Sequence, residues 1–320
     1  MSLRSARCIA AALTLGLMFG CSSREPAATG KTPGQLHVLT STFPMYLFTR
    51  NVTAGAAGVS VESMLPGSMG CPHDYVLTPQ DMQKIARADV FVVNGLGLEE
   101  FLGAPVKSAN PKIHILDTSK GITDLLKMTP AEGGEESGRE PQHHQGDTNP
   151  HLFASPRLAA KIMRNIAAGL SEVDQADRRI YLENAERWAT RLEKIADDFA
   201  ETGKHLRSRK IVTEHAVFDY LARDAGLEIV AVVEEVPGQE PSAARMIEIV
   251  KRIRSSGAAA VFTEPQYPAK VAETIAKEAR VPVALLDPAA SRQGRDDAPA
   301  DYYEQVMRKN LDMLRRTLGE

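Results

Sequence analysis

His73, His151, His215 and Asp287 are the residues of this chain best suited to shared chemistry. Each stands where a strand-like run gives way to a loop. His73 follows VSVESML within GCPHDY, His151 lies in TNPHLF, His215 closes KIVTEH, and Asp287 closes VPVALLD. Three imidazoles and one carboxylate form a donor set suited to a borderline-soft divalent ion, zinc above all. A single loop histidine is ordinarily a surface or hydrogen-bonded residue, and an aspartate before a proline is ordinarily a helix cap. The argument rests on four such residues at matching strand ends. His37 and His114, on strands, and His205, on a helix tail, lack that placement and are expected to be structural.

The elements that must position these donors follow from hydrophobic pattern. From Leu36 to Leu116, the apolar runs LHVLT, VSVESML, DVFVVN and KIHILD alternate with helical stretches. Phe43 to Val52 is one such helix. Thr78 caps another, with Pro79 in its first position and Asp81 against its positive end. Apolar strands alternating with helices indicate buried parallel sheet. Residues 127–149 then break into a polar loop rich in Gly, Glu and Pro. A helix from about Ser155 to Leu170 follows, then a longer one from near Asp174 to about Thr202. In the latter, Trp188, Leu192, Ile195 and Phe199 draw one apolar stripe. Its length of about 28 residues spans roughly 40 Å, enough to join two lobes rigidly.

After Gly203 the alternation restarts with KIVTEH, EIVAVVEE, AAAVFTE and VPVALLD, and a helix from about Tyr302 to Leu318 closes the chain. The fold expected is α/β: two parallel-sheet lobes joined by one long rigid helix, with the metal site in the cleft between them. The boundaries are residues 36–173 for the N-terminal lobe, 174–204 for the linking helix and 205–320 for the C-terminal lobe. Ligands bind beyond the carboxyl ends of parallel strands, so His73 and His151 face the cleft from one side, His215 and Asp287 from the other. Prolines next to His73, His151 and Asp287 restrict the backbone there and lower the entropy lost on metal capture.

Arg4 and Arg7 precede an apolar run from Cys8 to Phe19, so residues 1–20 are expected to be an export signal. The run is shorter than the ~20 apolar residues of a membrane span. The segment LMFGC resembles a bacterial lipoprotein signal, with Met18 where leucine is usual. It implies acylation of Cys21 and a polar tether over residues 21–35. Ordinary export with cleavage nearby is the alternative. Of 3 cysteines only Cys21 and Cys71 then remain, which leaves no disulfide framework. Net charge is −3 and becomes more negative once Arg4 and Arg7 leave, so no basic stripe is present to hold nucleic acid. Aromatics at 5% also argue against a stacking-based sugar or base site.

Over nearly all of the mature chain, the sequence resembles the zinc- and manganese-binding substrate-binding proteins of bacterial ABC importers. The resemblance is carried by VLTSTFPMY, PHDYVLTPQDMQKIARADVFVVNGLGLEEFL, NPHLFASP, TEHAVFDYLA, GQEPSA, FTEPQYPAKVAETIA and LLDP, in that order. It implies metal ligands at His73, His151, His215 and Asp287. Manganese-type members usually carry glutamate where His215 falls, so the resemblance and donor softness both favour Zn2+ over Mn2+. The loop with His143 and His144 resembles a shortened form of the histidine-rich loop of zinc-type members, though two incidental histidines on a solvated linker would look the same. Glu264 also ends a strand and is a possible accessory donor. Cys71, two residues before His73, is expected to be an inert cysteine rather than a competing ligand.

The function implied is capture of Zn2+ outside the cytoplasm and delivery to an ABC importer permease by a monomer, anchored to membrane lipid through Cys21. Import of Mn2+ or Fe2+ by the same fold is one alternative, and a surface adhesin another. A zinc hydrolase is the third, disfavoured because four ligands close the site to water and no HExxH motif is present.

Overall fold

The computed structural model describes residues 34–69, 75–99, 102–128, 148–234, 239–292 and 298–319. The expected export signal, Cys21, Cys71, His73, His143 and His144 lie outside the described residues.

The described part of the N-terminal lobe runs β1 (Leu36–Thr40), α1 (Phe43–Val52), β2 (Val59–Ser63), α2 (Pro79–Arg87), β3 (Val90–Val93), α3 (Gly103–Ala109) and β4 (His114–Asp117). Then come α4 (Pro156–Val173) and the long α5 (Arg178–His205). The C-terminal lobe contributes β5 (Lys210–Thr213), α6 (Asp219–Asp224), β6 (Glu228–Val232), α7 (Ala243–Ser256), β7 (Val261–Thr263), α8 (Lys270–Ala279), β8 (Val283–Leu285) and α9 (Tyr302–Leu318).

Both sheets are parallel and share one topology, with strand orders β2-β1-β3-β4 and β6-β5-β7-β8. In each, successive connections turn opposite ways at the second and third strands. The ends of β1 and β3, and of β5 and β7, therefore open the two crevices where such sheets bind ligands. The outer strands are less buried than their apolar sequences suggest. β2 is mostly half-buried and Val283 and Leu285 of β8 are exposed, because an edge strand has a neighbour on one side only.

Side-chain alternation sorts each strand's residues between two cores. Leu39, Phe91 and Val93 pack outward with Ile85 of α2 and Val106 of α3, while Val38, Val90 and Val92 face inward. In the second lobe Val212 and Val261 pack with Ile249, Ile253 and Ile275 of α7 and α8, and Ile211 and Phe262 face inward. The inward residues of both sheets join one continuous core with Phe48, Ile166, Leu192, Phe199 and Leu311 from α1, α4, α5 and α9.

α5 is 28 residues long and its predicted stripe is inward, with Leu192, Ile195 and Phe199 fully buried and Trp188 partly so. It starts at Arg178 and ends at His205, a few residues later at each end than the apolar pattern indicates. Asp177 is its N-cap rather than part of its first turn. Thr78 forms a reciprocal capping box with Asp81, and the Ser155 hydroxyl accepts the Leu158 N–H. α3 has no counterpart in the sequence reading. It opens Gly103-Ala-Pro105 and buries only Val106, so it shows no apolar period.

The lobes are more than linked by α5. Tyr303 of α9 donates to the Phe153 carbonyl at 2.6 Å, and Asn51 of α1 donates to the Ala300 carbonyl at 2.8 Å. Phe48 and Tyr303 meet edge-on at 5.0 Å. Residues 34–320 accordingly form one compact unit. Among the described residues no helix is long and apolar enough to cross a membrane.

Candidate metal centre

His215 follows β5 by one residue. It is held in extended backbone before a 3-10 turn over Ala216–Phe218 that leads into α6. His151 sits between Pro150 and a 3-10 turn over Leu152–Ala154 that leads into α4. Both histidines are buried, and their rings meet edge-to-face at 5.3 Å and 79°. The structure thus brings together one predicted donor from each half of the chain. Phe153 and Tyr267 contact the pair edge-on, at 6.0 Å from His151 and 5.7 Å from His215.

The tautomer of His151 follows from its neighbour. The Asn149 side-chain oxygen accepts both the His151 backbone N–H, at 2.9 Å, and a contact from Nδ1 at 2.8 Å. A carbonyl oxygen can only accept, so Nδ1 carries the proton and Nε2 keeps its lone pair for a metal.

Glu264, at the end of β7, places Oε1 2.5 Å from His215 Nδ1, yet off the line a hydrogen bond requires. Two electron-rich atoms that close are stable only with a proton or a cation between them. Its other oxygen accepts from the Gln266 amide at 2.6 Å. Next to His215, Glu214 crosses from the end of β5 to accept the Glu264 backbone N–H at 3.0 Å. Burial pushes the Glu214 carboxyl up to about 7, against the lowering effect of that hydrogen bond, and the nearby charges of Glu264 and Glu234 add to the rise.

Asp287 lies beyond β8 and is half-buried. Its Oδ1 accepts the Ala289 N–H at 2.8 Å. The Asn310 side chain of α9 clamps its backbone from both sides, at 2.9 and 2.7 Å. Burial again leads in pushing its carboxyl up to about 6, with the Glu264 charge acting in the same sense. A divalent cation would reverse these shifts by favouring the ionised carboxylates. Among the described residues, no three His, Cys, Asp or Glu side chains are grouped so as to hold a metal by themselves. The other predicted donor, His73, lies outside them.

The N-terminal crevice is built the same way from a residue the sequence reading passed over. Glu99 is buried and clasps the ends of β1 and β3. It accepts from the Ser41 hydroxyl at 2.7 Å and from the Asn94 and Gly95 backbone N–H groups at 2.7 and 3.0 Å. Asn94 in turn donates to the carbonyl of Pro150, the residue before His151, at 2.8 Å. Burial outweighs these hydrogen bonds and raises the Glu99 carboxyl from 4.5 to about 7.

A pH dependence follows from that rise. The folded state holds the Glu99 proton through a window in which the unfolded chain has released it. This contribution to stability is therefore full below about pH 4.5 and is lost as pH climbs through about 7. The metal-free protein is expected to melt at a lower temperature at pH 8 than at pH 5.5, with a slope of at most about 1.4 kcal/mol per pH unit from this group. Glu214 adds in the same direction. Melting curves of the parent and of Glu99→Gln check this. The variant's slope should be shallower, and an unchanged slope would refute the assignment.

The other histidines are structural where described. His37 pairs with Ser60 across the sheet at 3.0 Å, and His205 pairs with Glu201 one turn back at 3.0 Å. His114 opens β4.

The family described as ZnuA, zinc-uptake complex component A, periplasmic, matches residues 38–317 of this chain. The chain belongs to that family. The high-affinity zinc uptake system protein ZnuA of Bacillus subtilis is 30% identical over 315 residues, covering 97% of this chain and 96% of its own. The zinc-binding lipoprotein AdcA of Streptococcus pneumoniae is 30% identical over 313 residues, and the match spans 97% of this chain but only 60% of AdcA. Among solved structures, the substrate-binding protein FpvC of Pseudomonas aeruginosa with Mn2+ superposes at a TM-score of 0.74 and 26% identity, over 89% of this chain and 98% of that one. Because a manganese-bound protein shares the fold, the ZnuA-type fold alone does not choose the metal, and the donors must.

Proposed function

We propose that this protein captures Zn2+ outside the cytoplasm and presents it to the permease of an ABC importer, without catalysing a reaction. The observation that carries this reading is the meeting of His151 and His215, buried imidazoles from opposite halves of the chain, at one crevice mouth. His73 and Asp287 complete the proposed ligand set, and Glu264 stands behind His215. Three neutral imidazoles and one carboxylate suit zinc better than manganese, which prefers more carboxylate and water.

The names of the B. subtilis and S. pneumoniae relatives support zinc uptake, and AdcA's description as a lipoprotein supports an anchor at acylated Cys21. The proposed organisation is a signal over residues 1–20, a tether over 21–35, lobes over 36–173 and 205–320, and a linker over 174–204. The protein is proposed to act as a monomer at the membrane surface.

Competitive titration of the purified mature protein tests the reading. One equivalent of zinc is expected to bind tightly and to yield to manganese only at large excess. A preference for manganese would overturn the metal assignment, and weak binding of both would overturn uptake itself.

A further inference from the structure

Asn149 is fully buried between the two halves of the molecule and uses every hydrogen-bonding position of its side chain. Its oxygen accepts from the backbone N–H and from Nδ1 of His151, at 2.9 and 2.8 Å. Its nitrogen donates to the carbonyl of Ala216, the residue after His215, at 2.7 Å, and to Oδ2 of Asp219 at 2.9 Å. The amide is oriented unambiguously, since the acceptors Ala216 O and Asp219 Oδ2 lie on one side and the donors of His151 on the other. Its backbone is tied as firmly. The Asn149 N–H reaches the Leu126 carbonyl at 2.8 Å, and the Asn149 carbonyl accepts the Tyr220 hydroxyl at 2.8 Å.

We infer that Asn149 is a positioning residue that couples the two imidazoles, fixing the His151 tautomer with one end of its amide and the His215 loop with the other. This rests on the proposal that His151 and His215 are zinc ligands. No other side chain of similar size performs both tasks. Alanine does neither. Aspartate can accept from His151 but cannot donate, and it would set a carboxylate against the Ala216 carbonyl and the Asp219 carboxylate. Outer partners of metal-bound histidines commonly govern affinity in this way, by fixing ring orientation before the metal arrives.

The coupling gives two separable expectations. In the metal-free parent, nitrogen–proton correlation spectra should show His151, identified as the signals lost in His151→Gln, held in one tautomer with the proton on Nδ1. Asn149→Ala should release that tautomer into a mixture and weaken zinc binding roughly 10–100-fold. Asn149→Asp should retain the Nδ1 proton yet still weaken zinc, because only the His215 end of the bridge is cut.

Asn149→Ala with the parent's tautomer, or Asn149→Asp with the parent's zinc affinity, would overturn the inference. Should Asn149→Ala fail to fold, Asn149→Asp and the parent's own spectrum still decide it. If His151→Gln itself binds zinc as the parent does, the ligand assignment fails. The tautomer result then reports separately on Asn149.

Discussion

Replacing His215 with alanine is expected to weaken zinc binding by roughly two to three powers of ten. Closed zinc sites of four protein donors bind with about 10–16 kcal/mol, so each donor contributes on the order of 3–4 kcal/mol. His215 is placed to contribute fully. It is 2% exposed, its ring abuts His151 at 5.3 Å, and its Nδ1 lies against Glu264. Its loss also strips the buried Glu264 carboxylate of the imidazole that shares its charge. The same deficit should reappear as lost protection. A ligand that binds only the folded state stabilises it in proportion to the logarithm of its affinity, so the zinc-induced rise in melting temperature should largely vanish. His37→Ala and His205→Ala are the controls, because their rings serve Ser60 and Glu201 instead. Parent-like zinc affinity in His215→Ala would remove the central ligand from the proposal. His215→Glu adds a test of metal choice. A harder donor should reduce zinc binding more than manganese binding.

The sequence carried His215 and Asp287 legibly because both close apolar runs, and a parallel strand that ends in a polar residue delivers it to the ligand-binding edge. The strands themselves were legible for the same reason, as were Thr78 and Ser155, whose side chains announce helix starts. α3 was not, since a short helix burying one side chain leaves no periodic trace. Nor was the shared core, because Phe48, Leu192 and Leu311 are far apart in sequence and each fits an ordinary amphipathic helix taken alone. Asn149 and Glu99 were invisible for another reason. A single amide or carboxylate gains its role from partners on other elements, Ala216 and Asp219 for one, Ser41 and Asn94 for the other. The TNPHLF segment drew attention to His151 while the residue that orients it stood two places earlier.

Gly203→Ala should destabilise the protein by about 2–3 kcal/mol, although helix propensity alone predicts the opposite. In a helix interior alanine is favoured over glycine by about 1 kcal/mol, and Gly203 lies within α5, three residues from its end. The deciding fact is what lies opposite. A β-carbon at Gly203 would stand 1.7 Å from the carbonyl oxygen of Ala225 and 2.8 Å from its carbonyl carbon. These are backbone atoms at the end of α6, so no rotamer change relieves the clash and the two helices must separate. Overpacking of this kind costs about 1–3 kcal/mol even when side chains can yield. The displacement would also reach the site, since α6 begins at Asp219, a partner of Asn149.

Gly169→Ala supplies the contrast. There the added carbon meets the side chain of Leu116 at 2.5 Å, which can move, so the loss should be smaller and helix propensity should offset part of it. Urea unfolding of both variants without metal separates the cases, with the Gly203→Ala midpoint falling well below that of Gly169→Ala. A Gly203→Ala protein as stable as its parent would mean that α5 and α6 do not approach this closely. The long helix would then be a linker beside the second lobe rather than a member of its core.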